Sequence, residues 1–300
     1  MRVFLTGATG FIGSKILPEL LAAGHAVTGM TRSDKGARTL VAAGATPHRA
    51  TLEDPAGIMA GAESADAVIH TAFDHDFANF VANCEKDRRV IAALGLVLKG
   101  SNRPLMITSG TGMGDAEDGK PASEDVFNPH HGNPRIASEL AVQTLLDDGV
   151  NVSVMRLPQV HDTVRQGLIS PYIQIAIQKG SVAWVGDGAN RWPAAHVLDV
   201  ARLYALAFDR GEPGARYHAV AEEGVSALRI AEVVSAGLDL PAVSISPEET
   251  AEHFGWFAAF ASLDMPASSA LTRAKLGWEP TGPDLLTDLQ NMDYAALRVS

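Results

Sequence analysis

Residues 127–139 read FNPHHGNPRIASE: two adjacent histidines, His130 and His131, then Arg135 four positions after the second, then Glu139 four further on. An imidazole, with an ordinary pKa of ~6.5, gives or takes a proton near neutral pH. A guanidinium does not shuttle protons; it offers fixed charge and a fork of N–H donors to hydroxyls or oxyanions. Together they suit proton transfer to an oxygen held beside a polar ligand. Asn133-Pro134 reads as a helix cap with proline in the first helical position, and a residue before proline avoids the helical region. His131 is thus expected ahead of the helix, not one turn along it, and either histidine could be the one facing inward. A solvated loop with a packing arginine is the plainer alternative. Against it, a cation in a helix's first turn is unfavourable by ~0.3–1 kcal/mol, so Arg135 needs a compensating partner.

A second constellation opens the chain. TGATGFIG, Thr6 to Gly13, follows the apolar run RVFLTG and leads into a helical pattern. Gly7 permits a tight turn, Gly10 lets backbone approach a pyrophosphate, and Gly13 lets helix and strand pack closely; the helix N-terminus aims amide donors at the anion. Between a strand and a helix, at the start of a βαβ unit, these glycines indicate a dinucleotide site. An NAD site needs a carboxylate at the end of the second strand for the ribose 2′-hydroxyl. Thr31, Arg32 and Ser33 stand there instead, and a guanidinium with a hydroxyl suits a 2′-phosphate. Asp34 comes too late and is expected to cap the next helix. The cofactor expected is NADP rather than NAD.

These groups need a scaffold. Strands are expected at RVFLTG, HAVTGMTR, ATPHRATL, DAVIHTAF, PLMITSG and NVSVMRLP, with helices over 11–23, 35–43, 78–98 and 135–148. Such alternation, with uninterrupted Val, Ile and Leu, marks a parallel sheet covered on both faces, an α/β fold of the Rossmann-type doubly wound kind. Pro18 should bend or loosen the first helix. Beyond about residue 160 the pattern loosens, with helices expected over 197–209, 228–238 and 283–297. The expected division is a nucleotide-binding domain over 1–160 and a smaller substrate lobe over 161–300, with residues 193–218 returning to the first domain.

Composition narrows the function. Of 300 residues 46% are hydrophobic, enough for a sizeable core. No apolar run reaches the ~18 residues of a membrane span, and the N-terminus lacks the pattern of a signal peptide. A net charge of −11 leaves no basic excess for phosphates, which argues against nucleic acid as partner. The single cysteine, Cys84, suits a reducing compartment and reads as a buried residue, not a nucleophile. A cytoplasmic protein acting on a small molecule is expected.

In these motifs and their order the chain resembles the short-chain dehydrogenase/reductase superfamily in its extended, NAD-dependent epimerase/dehydratase form, over nearly its whole length. TGxxGxxG stands at Thr6 to Gly13, HxA at His70-Thr71-Ala72, RLPQV at Arg156 to Val160 and HVLDVA at His196 to Ala201, and LTRAKLGWEP resembles the usual LGWxP ending. The resemblance implies cofactor contacts from Gly7, Thr9, Gly10, Phe11, Ile12 and Gly13, from Arg32, Ser33 and Leu52, from Thr71, Ala72 and Phe73, and from Pro158 and Arg135. The family's YxxxK pair is followed four residues later by a glutamate, here Glu139, which sets His131 on the tyrosine and Arg135 on the lysine. Ser109 in ITSGTGMGD matches the catalytic hydroxyl. HxxxR in place of YxxxK marks an atypical subgroup. In that frame His131 supplies the proton, Arg135 holds the nicotinamide ribose, and Ser109 polarises a carbonyl oxygen as hydride arrives. A homodimer is the family habit.

Other residues read less sharply. Asp74-His75-Asp76-Phe77 follows the fourth strand at the edge where ligands bind, but no Cys/His cluster accompanies it and no metal is expected. His70 reads as a satisfied core residue near the cofactor. His253, Phe254, Trp256 and Phe257 read equally as apolar pocket or lobe core, and Asp187, Asn190, Arg191 and Trp192 as pocket wall or turn. The leading expectation is an NADP-dependent oxidoreductase reducing a carbonyl of a small, mostly apolar molecule. The alternatives are a sugar-nucleotide epimerase or dehydratase, whose diphosphate would need cations such as Arg165, Arg191 and Arg216, and a non-catalytic NADP-binding redox sensor.

Overall fold

Runs that are apolar on both faces draw the first half of the chain into a single sheet. In chain order the elements are β1 (Arg2–Thr6), α1 (Gly13–Ala22), β2 (Ala26–Thr31), α2 (Asp34–Ala42), β3 (Thr46–Arg49), α3 (Pro55–Glu63), β4 (Ala67–His70), α4 (Phe80–Leu98), β5 (Leu105–Gly110), α5 (Ile136–Asp147) and β6 (Val152–Leu157). Then come β7 (Gln159–His161), α6 (Ile169–Lys179), β8 (Val182–Val185), β9 (Arg191–His196), α7 (Val197–Arg210), β10 (Arg216–His218), β11 (Glu222–Ser226), α8 (Ala227–Leu238) and β12 (Ala242–Ile245). Short helical pieces follow; the computed structural model describes residues 1–297.

Seven strands pair in the order β10-β6-β5-β4-β1-β2-β3, every neighbour parallel. The order reverses between β1 and β4, whose register sets Thr6 beside His70. The crevice beyond the carboxyl ends at such a reversal is where open α/β sheets bind ligands. This is the doubly wound Rossmann fold that the alternation predicts. On one face α3, α4 and α5 bury Ile58, Val90, Leu94 and Val142 against Phe4, Val68 and Ile107. On the other, α1 and α7 bury Ile16, Leu20, Val200 and Leu203 against Val3, Leu5 and Met155. A second lobe has its own core, Tyr172, Ile173, Trp192, Val234, Phe254 and Phe257, around the sheet β11-β9-β7 and the pair β12-β8.

Three expectations are corrected. The helix read over 283–297 is two pieces, Leu285–Gln290 and Tyr294–Leu297. Asn291 turns its amide back to the Thr287 carbonyl (2.8 Å), and Asp293 restarts the chain by accepting the Ala296 amide (3.2 Å). Helix α1 runs unbroken through Pro18. Pro18 is exposed, as is Ser14, whose carbonyl loses its helical partner, so water can satisfy what the proline removes. Helix α3 went unread although it carries a start signal, Pro55 behind Asp54, whose side chain accepts the Gly57 amide at 2.9 Å. The HVLDVA and LGWEP segments clasp each other: Asp199 accepts the amides of Thr281 (2.9 Å) and Gly282 (2.8 Å), and Trp278 Nε1 donates to the Asp199 carbonyl (3.1 Å).

Candidate active site

At the β1–α1 junction Gly7 adopts φ +67°, and a Cβ there would stand 2.6 Å from Thr71 Oγ1. A Cβ on Gly13 would stand 2.2 Å from the Gly7 carbonyl oxygen, so helix and loop can touch only through glycine. Gly10 is exposed, its amide donating to the Gly7 carbonyl (2.8 Å), while the amides of Phe11 and Ile12 donate to nothing among the described residues. Free N–H groups at the positive end of α1 fit a pyrophosphate. Thr71 closes the cradle: its amide and that of Ala72 donate to Thr6 Oγ1 (3.1 and 3.2 Å) and its hydroxyl to the Thr6 carbonyl (2.8 Å). From the opposite wall Arg165 carries its guanidinium over the Phe11 ring, 5.8 Å from the centroid. The turn that presents it is tied to Asp162 Oδ1 by the amides of Val164 (2.8 Å) and Arg165 (2.7 Å). Nothing in the sequence set Arg165 against this loop.

A hydrogen-bonded chain links the cradle to the His131–Arg135 segment. The Thr6 hydroxyl donates to His70 Nδ1 (2.7 Å), His70 Nε2 donates to Asp87 Oδ1 (3.0 Å), and Asp87 Oδ2 accepts from Arg135 Nη1 and the Ser138 hydroxyl (2.6 Å each). Since Thr6 Oγ1 already accepts two amides, it donates to the imidazole, and the His70 N–H that faces Asp87 is on Nε2. Arg135 also donates to Ser138 Oγ and the Thr108 carbonyl (2.7 Å each) and lies over the Phe73 ring, 4.0 Å from its centroid. Burial would raise the Asp87 carboxyl, but the Arg135 charge and the His70 hydrogen bond outweigh it and hold it well below the usual carboxylate range. Here is the compensating partner that a cation in the first helical turn requires. Three of the guanidinium N–H groups are engaged, which leaves one on Nη2 and the one on Nε for a ligand.

Asn133 caps the segment: its Oδ1 accepts the Arg135 amide (2.9 Å), and the regular helix starts at Ile136. His131 lies ahead of the cap. Its Nδ1 accepts the Asn133 amide (3.1 Å), which places the imidazole proton on Nε2, and Nε2 has no partner among the described residues. A Cβ on Gly112 would lie 4.0 Å from His131 Cε1, so the ring borders the loop leaving β5 while Arg135 grips β5 at Thr108. His130 is exposed and only its amide is bonded, to Asn128 Oδ1 (3.1 Å). Ser109 is buried; its Oγ makes no hydrogen bond, though it lies near enough to Glu139 to help hold that carboxyl down. All four tyrosines, Tyr172, Tyr204, Tyr217 and Tyr294, are buried, so no phenol stands in the cleft.

Glu139 does not face the cleft. Its two oxygens accept Arg156 Nε and Nη2, both at 2.8 Å, and both side chains are fully buried. Burial opposes the ionised form, but Arg156, with Arg216 beside it, holds the carboxyl below its usual value. Arg156 also reaches the carbonyls of Met113 and Ser123 (3.2 Å each) and Val126 (2.9 Å). This arginine fastens the loop from β5 on which His131 is carried.

Residues 3–220 match the model of the NAD dependent epimerase/dehydratase family. The chain belongs to that family. It is 44% identical over 295 residues to an uncharacterised protein of Schizosaccharomyces pombe, covering 98% of this chain and 100% of that one. It is 28% identical to vestitone reductase of Medicago sativa, over 72% of this chain and 76% of the relative. The crystal structure of UDP-glucose 4-epimerase from Thermus thermophilus in complex with NAD shares the fold, with a TM-score of 0.75 at 22% identity over 98% of both chains. Relatives of this epimerase/dehydratase chain include both reductases and epimerases.

In this family member Thr31 is buried, while Arg32 is exposed and has no polar partner among the described residues. The cap of α2 is Ser33, not Asp34: its extended backbone (φ −134°) aims the hydroxyl back to accept the Gly36 amide at 3.0 Å. Asp34 stands first in the helix and pairs with Arg49 (3.1 Å). Thr9 is exposed, and Leu52 and Pro158 are half-buried. In the loop after β4, Asp74 is bound by Lys86 (2.8 Å) and Asp76 accepts the Ala78 amide (3.1 Å), so His75 has no free carboxylate on either side. His75 reaches solvent on one side; desolvation by the surrounding protein, with the Arg135 charge, pushes its imidazole below the ordinary value. Among the described residues no three His, Cys, Asp or Glu side chains are grouped to hold a metal. Arg191 is spent on Asp264 (2.8 Å) and Arg216 on Glu139 (3.0 Å). Asn190 holds the carbonyls of Ala261 (3.1 Å) and Leu263 (3.2 Å), which makes the bend at 187–192 a fastener of the lobe. Burial pushes the Cys84 thiol up to about 11, which leaves it unreactive at neutral pH.

Proposed function

We propose that this epimerase/dehydratase-family protein is an NADP-dependent oxidoreductase that reduces the carbonyl of a small, mostly apolar molecule, with His131 and Arg135 serving where the family has tyrosine and lysine. The observation that carries the proposal is the state of His131. With Nδ1 occupied by the Asn133 amide, Nε2–H is the group left to meet a substrate oxygen, and no tyrosine competes for that role. The Phe11 and Ile12 amides and Arg165 receive the pyrophosphate, Arg32 and the Ser33 O–H the 2′-phosphate, and the two uncommitted N–H groups of Arg135 the ribose hydroxyls. A bound nicotinamide supplies the hydride. As negative charge grows on the carbonyl oxygen, His131 Nε2–H hydrogen-bonds to it and, once Nδ1 has released the Asn133 amide and taken a proton from water, yields its own proton as imidazolium becomes imidazole, while the fixed charge of Arg135 stabilises the oxyanion. Ser109 joins by rotating its Oγ from Glu139 to the carbonyl oxygen, giving up the small help it lends that carboxylate.

The reductase among the relatives agrees with this reading in reaction class. With Arg191 and Arg216 spent on internal pairs and Arg165 assigned to the cofactor's pyrophosphate, a sugar diphosphate would find none of the three candidate cations free. The test is a panel of ketones, aldehydes and quinones offered with NADPH or NADH, with dinucleotide oxidation followed by absorbance. Oxidation of NADPH in preference to NADH, by at least one apolar carbonyl compound, is expected. Tight dinucleotide binding without reduction of any of them would overturn the reading, and epimerisation of a nucleotide sugar would replace it.

A further inference from the structure

Two aromatic runs, far apart in sequence, meet across the cleft. The first is Phe73, Phe77 and Phe80, in and after the loop that leaves β4; the second is the 254–260 stretch of the other lobe. The second run splits by side. Phe254 and Phe257, 3% and 0% exposed, turn into the lobe core beside Tyr172 and Trp192, whereas Trp256 is 42% exposed and turns with Phe260 toward the first run. The Phe77 and Trp256 rings stack with centroids 4.9 Å apart and planes within 3°. Phe260 closes edge-on against Phe77 (5.9 Å) and Phe80 (6.3 Å). At the other end Phe80 meets Phe73 (6.2 Å), and Phe73 carries the Arg135 guanidinium on its face. The rings therefore run without a break from the proposed catalytic arginine to the second lobe.

The Phe77–Trp256 pair is the one parallel stack in this array, and it joins two elements that share no backbone pairing. Neither ring is a member of either core, and Trp256 rests edge-on against the core ring of Phe257 (5.6 Å), which holds it to the second lobe while Phe77 parts from it. A flat ring entering between them restores on both its faces the stacking that separation gives up, so opening costs little for such a guest. A puckered aliphatic ring restores only apolar contact. The electrostatics agree: Asp74 is neutralised by Lys86, Asp76 is used in capping, and the cations whose charge reaches this loop are Arg135 and Arg165, so no open carboxylate invites a cationic guest.

We propose that the Phe77–Trp256 stack is the specificity element of the site, opening to clasp a neutral, flat aromatic ring whose attached carbonyl then points along Phe73 toward Arg135 and His131. The direction of the carbonyl rests on the reductase reading; the clasp itself does not. The test therefore uses ligands that cannot be reduced. Protein saturated with NADP⁺ is titrated calorimetrically with 2-naphthamide and with its fully saturated decalin counterpart. Unmutated protein should bind the naphthamide, and Phe77→Leu or Trp256→Leu should each weaken it roughly three- to tenfold, the range of an aromatic pair. The decalin amide should change less than twofold, and Trp256→Phe, which keeps a ring, should hold naphthamide affinity within twofold of the original. Unchanged NADP⁺ affinity in each variant verifies the fold. Absence of naphthamide binding by the unmutated protein, or equal losses for both amides, would sink the clasp while leaving carbonyl reduction standing. Failure of the carbonyl panel with the naphthamide result intact would do the reverse.

Discussion

The glycine cradle and the His131–Arg135 corner share one sheet edge, yet they are built by opposite means. The cradle is made of backbone: Gly7 at φ +67°, Gly13 against the Gly7 carbonyl, and free amides at a helix start. Its glycine loop takes its shape from residues within a few positions of one another, with Thr71 closing it from outside. The other corner is made mainly of side chains gathered from β1, β4, α4 and the start of α5, through Thr6, His70, Asp87, Arg135 and Ser138, with the Thr108 carbonyl of β5. A backbone site tolerates changes around it and fails only where a Cβ intrudes. A gathered site fails by degrees, depending on which partner is left with an unpaired charge.

That contrast can be broken, beginning with the largest effect. Gly10→Val should abolish dinucleotide binding with a small fall in melting temperature, because its Cβ would press the Gly7 carbonyl oxygen at 3.1 Å while the rest of the side chain fills the exposed side of the loop. Calorimetric titration showing retained affinity would mean that the loop is only a turn. At the gathered corner, His131→Ala should lower turnover by ~10²–10⁴, the usual size of a general-acid effect, and leave cofactor affinity unchanged. His130→Ala should be nearly silent, and the reverse pattern would move the proton donor by one residue.

Asp87→Asn should destabilise the fold by about 1–3 kcal/mol in chemical denaturation, because it leaves the half-buried Arg135 without its counter-charge and removes the acceptor of the Ser138 and Arg135 hydrogen bonds. A cost below about 1 kcal/mol would show that water already shares that charge. The same carboxyl sets an acid limit. Asp87 and Glu139 are held below their unfolded values, so the stability they lend is complete above ~4 and is lost as pH falls through their folded values. His218, which burial pushes down to about 3, withdraws stability earlier, from ~6.5 downward, since the unfolded chain takes up its proton first. Asp87→Asn should flatten the lower part of that decline and leave the upper part in place. The smallest effect is expected at Arg32→Ala, which should reduce a preference for NADPH over NADH by about tenfold, the worth of one charge-assisted contact. Equal affinities in the unmutated protein would remove the basis for NADP.

The same contrast explains what could be read from the sequence. The alternation of apolar and amphipathic runs pointed to the Rossmann sheet, because a parallel strand buried on both faces must be apolar throughout. The family membership was legible in TGATGFIG and HVLDVA, which are constrained within a few residues. Asp87 left no trace: it is one acid in a charged helix, and 48 residues separate it from Arg135. Arg156 stood in sequence only as the first residue of the RLPQV stretch, yet among the described residues it is the largest fully buried side chain and holds a loop. The aromatic stretch 254–260 could not be assigned from sequence because it is divided: Phe254 and Phe257 turn into the lobe core, while Trp256 and Phe260 turn to the rings of the loop after β4. Ser33 displaced Asp34 as a cap on backbone geometry alone, for either residue type can do the work.

The late return of α7 and β10 bears on how the chain must be made. Helix α7 covers the apolar face of α1, and β10 pairs the outer edge of β6, although both are encoded after β7, β8 and β9 have been laid down elsewhere. A nascent chain that has completed β6 therefore carries the α7-facing side of α1 uncovered and an open parallel edge until His218 leaves the ribosome. Open edges of that kind recruit other strands. Ribosomes stalled between residues 160 and 218 should accordingly release aggregating, chaperone-bound fragments, whereas chains released just beyond that point should be protected first at the sheet edge. The order of synthesis, as much as the final packing, makes this segment the step on which the whole sheet waits.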